Sequence, residues 1–133
     1  MGDFINTRLL FLSLLAFTLL SCTASVGPLT SFGNVPPQFF LDQNFPNPFT
    51  DSTSIPYGVP ENGGFVTLQI FDKYHNLVRV LAYNVSAPPG SFTEVWDGRN
   101  TNYDEVPPGI YVVELYGSSP NTFISRIAAV KIR

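Results

Sequence analysis

The stretch FTEVWDGRN, from Phe92 to Asn100, indicates how the chain folds. An extended run ends here on Trp96, the single tryptophan, and a turn on Asp97 and Gly98 follows directly. Tryptophan contributes a large apolar area to a core, and Asp-Gly pairs are typical of tight turns. A tryptophan in this setting is more often the centre of a small β core than a ligand-binding residue. We therefore predict that Trp96 packs inside the protein.

Short apolar runs and turn signals alternate along the rest of the chain. Strict alternation places two sets of residues on single strand faces: Val66, Leu68 and Ile70, and Tyr111, Val113 and Leu115. The predicted strands are 39–44, 53–57, 65–71, 77–84, the run that ends at Trp96, 110–116 and 123–132. About seven strands without an amphipathic helix predict an all-β fold, an immunoglobulin- or fibronectin-like antiparallel β-sandwich.

Prolines restrict the first part of this predicted domain. In the stretch NFPNPF, Pro46 and Pro48 remove main-chain donors, so the stretch is predicted to be an extended crossover rather than a central strand. Phe45 and Phe49 are expected to cover one end of the core. Pro56 makes the strand around it a short edge strand.

The composition limits the classes of protein and partner. With 133 residues, the chain is long enough for one domain with one core. Charged residues make up 13%, the net charge is -3, and no basic cluster is present. Nucleic acid and anionic membrane surfaces are therefore not expected as electrostatic partners.

The N-terminal segment has the pattern of a secretory signal. The run from Leu9 to Leu20 is uncharged and apolar, but shorter than the ~20 residues that span a bilayer as a helix. It ends in LLSC, which resembles the bacterial lipobox that precedes a lipidated cysteine. We predict a lipoprotein signal peptide at residues 1–21 and lipidation of Cys22. An ordinary signal peptide with a free cysteine is the alternative.

A tether is predicted to follow the lipidated cysteine. Residues 22–38 carry no charge and no periodicity, which is typical of a flexible linker, and the folded domain is predicted to span 39–133. Several acyl chains on Cys22 would hold the protein stably at a membrane. Thr23 after the cysteine resembles the pattern for outer-membrane retention. We therefore expect a cell-envelope location, at the outer membrane in particular.

Four motifs in the predicted domain resemble a known family. They are QNFPNPF at 43–49, FVTLQIFD at 65–72, WDGRN at 96–100 and PPGIYVVEL at 107–115. In this order they resemble the type A C-terminal sorting domain of type IX secretion cargo proteins, and the related immunoglobulin-like domain of flagellar hook-capping proteins. The resemblance implies a β-sandwich that needs no metal or cofactor. It also marks these structural residues: Pro46, Asn47, Pro48, Trp96, Asp97, Gly98, Gly109 and Tyr111.

The chain departs from the family pattern at three positions. Asn76 stands where glycine is usual, and it is the expected residue with positive φ in its turn. Pro108 stands where a small residue is usual. Glu94 occupies a position that is usually apolar, two places before the tryptophan. Either the strand bulges at Glu94 or Val95 points inward in its place.

The sequence offers little support for catalysis. His75 is the single histidine and is expected in a solvated turn, which argues against a histidine triad or a histidine-rich metal site. Asp97 is expected to accept main-chain N–H bonds, with calcium binding as the alternative. No carboxylates are paired for acid–base work, and no phosphate-binding glycine loop is present. We expect no enzyme activity, no cofactor, no metal and no small-molecule substrate.

Two functions fit such a domain. The first is a non-catalytic envelope lipoprotein whose immunoglobulin-like domain mediates protein interaction or structural anchoring through free sheet edges. The alternative is a sorting domain that the type IX machinery recognises, with its cargo missing. The expected partners are the membrane, through the lipid anchor, and an envelope or secretion-machinery protein. The tyrosines that could line a contact are Tyr57, Tyr74, Tyr83, Tyr103 and Tyr116.

The lipid anchor gives the first testable prediction. If LLSC is a lipobox, the mature chain starts at an acylated Cys22, and Cys22→Ala moves the protein from the membrane fraction to the soluble fraction. Mass spectrometry of the mature N-terminus measures the modification. An unmodified thiol, or a mature N-terminus far from Cys22, would contradict it.

Overall fold

The computed structural model describes residues 35–133. The predicted signal peptide, Cys22 and most of the predicted tether lie outside these residues. Within the described part, no helix is both long and apolar enough to cross a membrane.

Within residues 35–133, seven strands form two antiparallel sheets that enclose one core. The strands are β1 (Phe40–Leu41), β2 (Thr53–Val59), β3 (Gly64–Asp72), β4 (Leu77–Ala87), β5 (Gly90–Trp96), β6 (Gly109–Ser119) and β7 (Asn121–Lys131). The smaller sheet has the order β1-β2-β5, and the larger sheet has the order β4-β3-β6-β7. The all-β sandwich predicted from the sequence is confirmed.

The fourth strand widens the larger sheet. In constant-type immunoglobulin domains, the fourth strand lies in the sheet with the first, second and fifth strands. Here Leu77 pairs with Phe71 and Val80 pairs with Gln69, so β4 lies beside β3 instead. A wide four-stranded sheet therefore faces a narrow three-stranded sheet.

Residues that alternate along the strands form the core between the sheets. Both apolar sets predicted on β3 and β6 are buried. Ile55 and Val59 of β2 supply part of the opposite wall, and Trp96 at the end of β5 is the largest fully buried side chain.

Trp96 joins three separate segments of the chain. Its ring lies 5.4 Å from the ring of Phe49 and 5.2 Å from that of Tyr111, between centroids. Both arrangements are tilted or edge-on, as aromatic pairs prefer. Its indole N–H donates a 2.9 Å hydrogen bond to the carbonyl of Arg99, so no polar atom of the buried ring lacks a partner.

The strand β2 is central in its sheet, so its predicted position at an edge is wrong. It pairs with β1 on one side and β5 on the other, and it extends to Val59. Pro56 is tolerated because its carbonyl accepts from the N–H of Asp42, on the side where β1 has already ended at Leu41. The missing N–H of Pro56 faces that same side.

Both predicted explanations for Glu94 are wrong. The pairing of β2 with β5 is regular from Thr53 to Val59, without a bulge, and Val95 is 57% exposed. Glu94 faces inward opposite Ile55, and it is half-buried because β5 is an edge strand that leaves the carboxylate a path to water.

The turn after β3 has positive φ at His75 rather than at Asn76. His75 is exposed, as predicted, and its ring stacks on Phe71 at 4.4 Å. Asn76 instead donates its main-chain N–H and its side-chain amide to the carboxylate of Asp72, at 2.8 and 2.9 Å. These two bonds hold Asn76 in place, and they were not predicted.

The NFPNPF stretch crosses between the sheets, as predicted, but only one of its phenylalanines covers the core. Phe49 is fully buried and bonds through its main chain to Val130 and Ile132. Phe45 is 77% exposed, because its bridge to Ser54 places it on the outside of the sandwich.

The burial of Trp96 generates the second prediction. Trp96→Ala leaves a large cavity against Phe49 and Tyr111 and should destabilise the domain by about 3–5 kcal/mol. Urea unfolding followed by circular dichroism measures the change. Val95→Ala, on the neighbouring exposed position, is the matched control and should stay within about ±0.5 kcal/mol. Equal midpoints for Trp96→Ala and the wild type would contradict the core role.

Candidate interaction surface

The QNFPNPF segment fastens the smaller sheet to β7. The side chain of Asn47 donates to the carbonyl of Ala128 at 3.1 Å and accepts from the N–H of Val130 at 2.9 Å. Gln43 donates to the same Ala128 carbonyl at 2.9 Å. Phe49 continues the pairing with its own main chain. These bonds occupy the edge of β7 from Ala128 onward.

A buried polar group holds the first proline of this segment. Asn44 donates to the hydroxyl of Thr53 at 2.8 Å, and that hydroxyl donates to the carbonyl of Pro46 at 2.8 Å. Asn44 and Thr53 are both buried. The carbonyl of Pro46 is therefore held by a hydrogen bond from the buried Thr53.

The turn after Trp96 is closed by its own main chain. The carboxylate of Asp97 accepts from the N–H of Arg99 at 3.1 Å, and the carbonyl of Gly98 accepts from the N–H of Val106 at 2.9 Å. Gly98 has a φ of 69°, and a Cβ there would lie 2.9 Å from Cε of Lys131. The turn therefore requires glycine for its conformation and for the lysine beneath it.

Lys131 lies under this turn and pairs with Glu105. Its Nζ lies 3.0 Å from Oε1 of Glu105, and its side chain is only 1% exposed while that of Glu105 is 62% exposed. The hydrogen bond and the positive charge of Lys131 lower the pKa of Glu105 from its usual value of 4.5. The pair therefore connects the end of β7 to the loop between β5 and β6.

Tyr111 holds the start of β6. Its hydroxyl donates to the carbonyl of Pro107, four residues upstream, which is the arrangement called a tyrosine corner in immunoglobulin-like domains. Burial, and secondarily the charge of Asp72, raises the pKa of Tyr111. Gly109 begins β6 opposite Lys131. The structure thus gathers the motif residues Trp96, Tyr111 and Gly109 at one end of the sandwich.

The described part contains no metal-binding cluster, and one of its grooves carries a carboxylate. Across residues 35–133, no group of three His, Cys, Asp or Glu side chains is close enough to hold a metal ion. A groove of about 530 Å³ lies between the turn after β3 and the segment from Pro107 to Tyr111. Its carboxylate, Asp72, is engaged by its own turn, and hydrogen bonds from Asn76 lower the pKa of Asp72.

The outer face of the larger sheet is rich in exposed apolar side chains. Six large ones point away from the core and are 36% to 56% exposed: Phe65, Leu77, Val80, Ile110, Tyr116 and Ile124. Glu114 and Arg126 form the one ion pair on this face among the described residues, at 2.6 Å. An apolar solvent-facing surface of this kind is typical of an interaction site. We call it the outer face.

The solvent-facing side of the smaller sheet differs from the outer face in composition. Its solvent-facing residues include the small or polar Ser54, Ser91 and Thr93, and the strongly exposed apolar side chains on this side are Val95 and Phe45, which bridges to Ser54. Exposed large apolar side chains are therefore more numerous on the outer face than on this side of the described sandwich.

Three of the four edge strands carry features that prevent pairing with another chain. β1 has only two residues, β4 has three register shifts against β3, and β5 carries the inward carboxylate of Glu94. Thr101 also covers β4 by donating twice to the carbonyl of Val78. Short strands, bulges and inward charges are the usual protections of sheet edges.

The first half of β7 lacks such protection. β7 pairs with β6 without a bulge along its length, and QNFPNPF hydrogen-bonds to it only from Ala128 onward, although β1 also approaches β7. Since alternate residues of a strand direct their main-chain groups to the same side, the groups of Thr122, Ile124 and Arg126 face outward like those of Val130. We call residues 121–127 the free edge.

Sequence reasoning located parts of this surface but not the whole. Of the five tyrosines considered, Tyr116 lies on the outer face, whereas Tyr57 is buried and stacks on Phe92. Ile110 and Ile124 were missed. The sequence contained a signal for them, because apolar residues occupy both the odd and the even positions of β6 and so lie on both faces of the strand. A strand that is buried on one face needs apolar residues on that face only.

Solved structures share this fold, although the chain matches no protein-family model and no curated protein sequence is significantly similar to it. The latent, dimeric PorU of Porphyromonas gingivalis superimposes with a TM-score of 0.55 at 21% identity, over 75% of this chain and 10% of PorU. FlgD from P. aeruginosa superimposes with a TM-score of 0.52 at 16% identity, over 74% of this chain and 76% of FlgD. At these identities the similarity shows the fold.

The ion pair of Lys131 generates a pH-dependent prediction. Because the pKa of Glu105 is lowered in the folded state, its stabilising effect is present above pH 4.5 and is lost as the pH falls. Glu105→Gln should therefore be less stable than the wild type at neutral pH, and the difference should shrink as the pH falls below 4.5. Urea midpoints at neutral pH and across a series of lower pH values measure this. Glu61→Gln, in an exposed turn, should show no such convergence, and a constant difference for Glu105→Gln would contradict the prediction.

Proposed function

We propose that this protein is a non-catalytic interaction module of the bacterial cell envelope. Cys22 anchors it to a membrane through lipid, and residues 22–38 serve as the tether. The sandwich presents its outer face to another envelope protein. The outer membrane is the proposed location.

The observation that carries this proposal is the difference between the two solvent-facing sheet surfaces. The larger sheet exposes six large apolar side chains, among them Ile110, Tyr116 and Phe65, while the smaller sheet exposes Phe45 and Val95 beside serine and threonine. Leaving so much apolar area in water is unfavourable by roughly 25 cal/mol per Å². A protein partner that covers the outer face would remove that cost, and aromatic and aliphatic anchors of this kind dominate protein interfaces.

The envelope location is supported by the N-terminal sequence and by the four motifs. The LLSC pattern resembles a lipobox, and the motif set resembles domains of type IX cargo and of hook-capping proteins. The fold that this chain shares with PorU and FlgD agrees with that resemblance. The absence of enzyme activity is part of the proposal, since Asp72 and Tyr111 in the larger groove are both engaged by neighbouring groups of the fold.

A sorting domain recognised by the type IX machinery is the second candidate function. The ordered series QNFPNPF, FVTLQIFD, WDGRN and PPGIYVVEL favours it. The two functions predict different fates for a protein fused to the domain: a sorting domain directs its export to the cell surface, whereas an interaction module does not. Surface export of a reporter fused ahead of residue 39, in a host with that machinery, would favour sorting over a fixed interaction role.

The outer face gives the fourth prediction. A photo-crosslinking amino acid at Tyr116 or Ile110 of the full chain, in cells, should yield a discrete product with a single envelope protein, because these side chains lie at the proposed contact. The same group at Thr93 or Val95, on the smaller sheet, is the matched control and should yield none. With the crosslinking group at Phe65, on the same face, Ile110→Ser with Tyr116→Ser should abolish the product while unfolding stability changes little, since both residues are exposed. Equal products from both sheets would contradict the proposal.

A further inference from the structure

The free edge of β7 offers one stretch, residues 121–127, at which another strand could pair; we call this stretch the window. Ala128 and Val130 are occupied by Gln43, Asn47 and Phe49, and Pro120 precedes the strand without an N–H to donate. Only residues 121–127 can therefore accept another strand. Its outward main-chain groups belong to Thr122, Ile124 and Arg126, which lie symmetrically about Ile124.

We infer that a second copy of this chain pairs with the free edge, antiparallel and about a twofold axis at Ile124. A twofold contact places the same patch on both subunits, so residues equally far from the axis face each other. Ile124 then lies opposite its own copy, and Thr122 lies opposite Arg126 of the other copy. In hydrogen-bonded antiparallel pairs each couple exchanges both N–H···O bonds, so every free group of the window finds a partner.

The side chains of the window agree with this register. Arg126 is its one charged residue, and in this register it meets Thr122 rather than a second Arg126. A centre at Arg126 would oppose two guanidinium groups, which is unfavourable. A centre at Thr122 would oppose Ile124 to Pro120, which cannot donate. A centre at Ser125 would require Ala128, whose carbonyl is already bonded twice.

This pairing also extends the outer face. A twofold axis perpendicular to the sheets keeps both outer faces on the same side, and the row formed by Tyr116 and Ile124 continues into the same row of the second copy. The strand contact alone is small, below the ~1,200 Å² of a standard stable interface, so we expect a weak, concentration-dependent dimer. The dimer itself does not depend on the proposed function. Only the idea that the two joined outer faces bind a partner protein rests on it.

Cysteine crosslinking tests the register. In the purified full chain with Cys22→Ser, the Cα atoms of Ile124→Cys would lie about 5.5 Å apart across the axis, within reach of a short bifunctional thiol reagent. Those of Arg126→Cys alone would lie about 14 Å apart. We expect a linked dimer for Ile124→Cys, little for Arg126→Cys or Thr122→Cys alone, and a linked product when those two variants are mixed. Equal yields for all variants would indicate random collision and overturn the inference.

Sedimentation of the full chain in detergent gives a second measurement that needs no crosslink. Ile124→Lys opposes two ammonium groups at the axis and should weaken dimerisation by about tenfold or more. Val95→Lys, equally exposed on the other sheet, should leave it unchanged. A monomer at all concentrations, or equal effects of the two lysines, would overturn the inference. Crosslinks from Tyr116 to an envelope protein would still appear in that case, so the two proposals fail separately.

Discussion

The burial of one indole ring is the interaction on which the rest of the structure depends. Trp96 ends β5, and its ring contacts Phe49 from the crossover segment and Tyr111 from the start of β6. Each of these residues is in turn fixed by a hydrogen bond: the main-chain N–H of Phe49 donates to Val130, and the hydroxyl of Tyr111 donates to the carbonyl of Pro107. Because a core is close-packed, the three segments keep their relative positions only while the ring fills the space between them.

The same network engages polar groups of the motif residues within the fold. Asn47 bonds to β7, Asp97 closes its own turn, and Gly98 leaves room for the buried stem of Lys131. Their polar groups are consumed by the fold, and no buried side-chain nitrogen or oxygen of the described part lacks a hydrogen-bond partner. Side chains with this role stabilise a domain, and they leave recognition to surfaces elsewhere.

Recognition is then a matter of which surfaces the fold leaves open. Placing β4 beside β3 makes the larger sheet wide, and its outer face exposes Ile110 and Tyr116. The crossover segment covers β7 only from Ala128 onward, which leaves one regular stretch of edge around Ile124. A face and an edge that meet at Ile124 provide both apolar area and main-chain hydrogen bonds, the two means by which sheets bind other chains.

The sequence by itself determined the fold class, the two alternating core strands and the burial of Trp96, because alternation and turn chemistry are local properties. It placed Phe45 in the core, β2 at an edge and positive φ at Asn76, and all three predictions are wrong. The first two depend on contacts between distant segments, such as the bonds of the crossover to β7, and the third depends on the bonds of Asn76 to Asp72 within the turn. Only the tertiary structure decided which faces and edges stay open, since strand order and covering segments are set by packing across the whole domain.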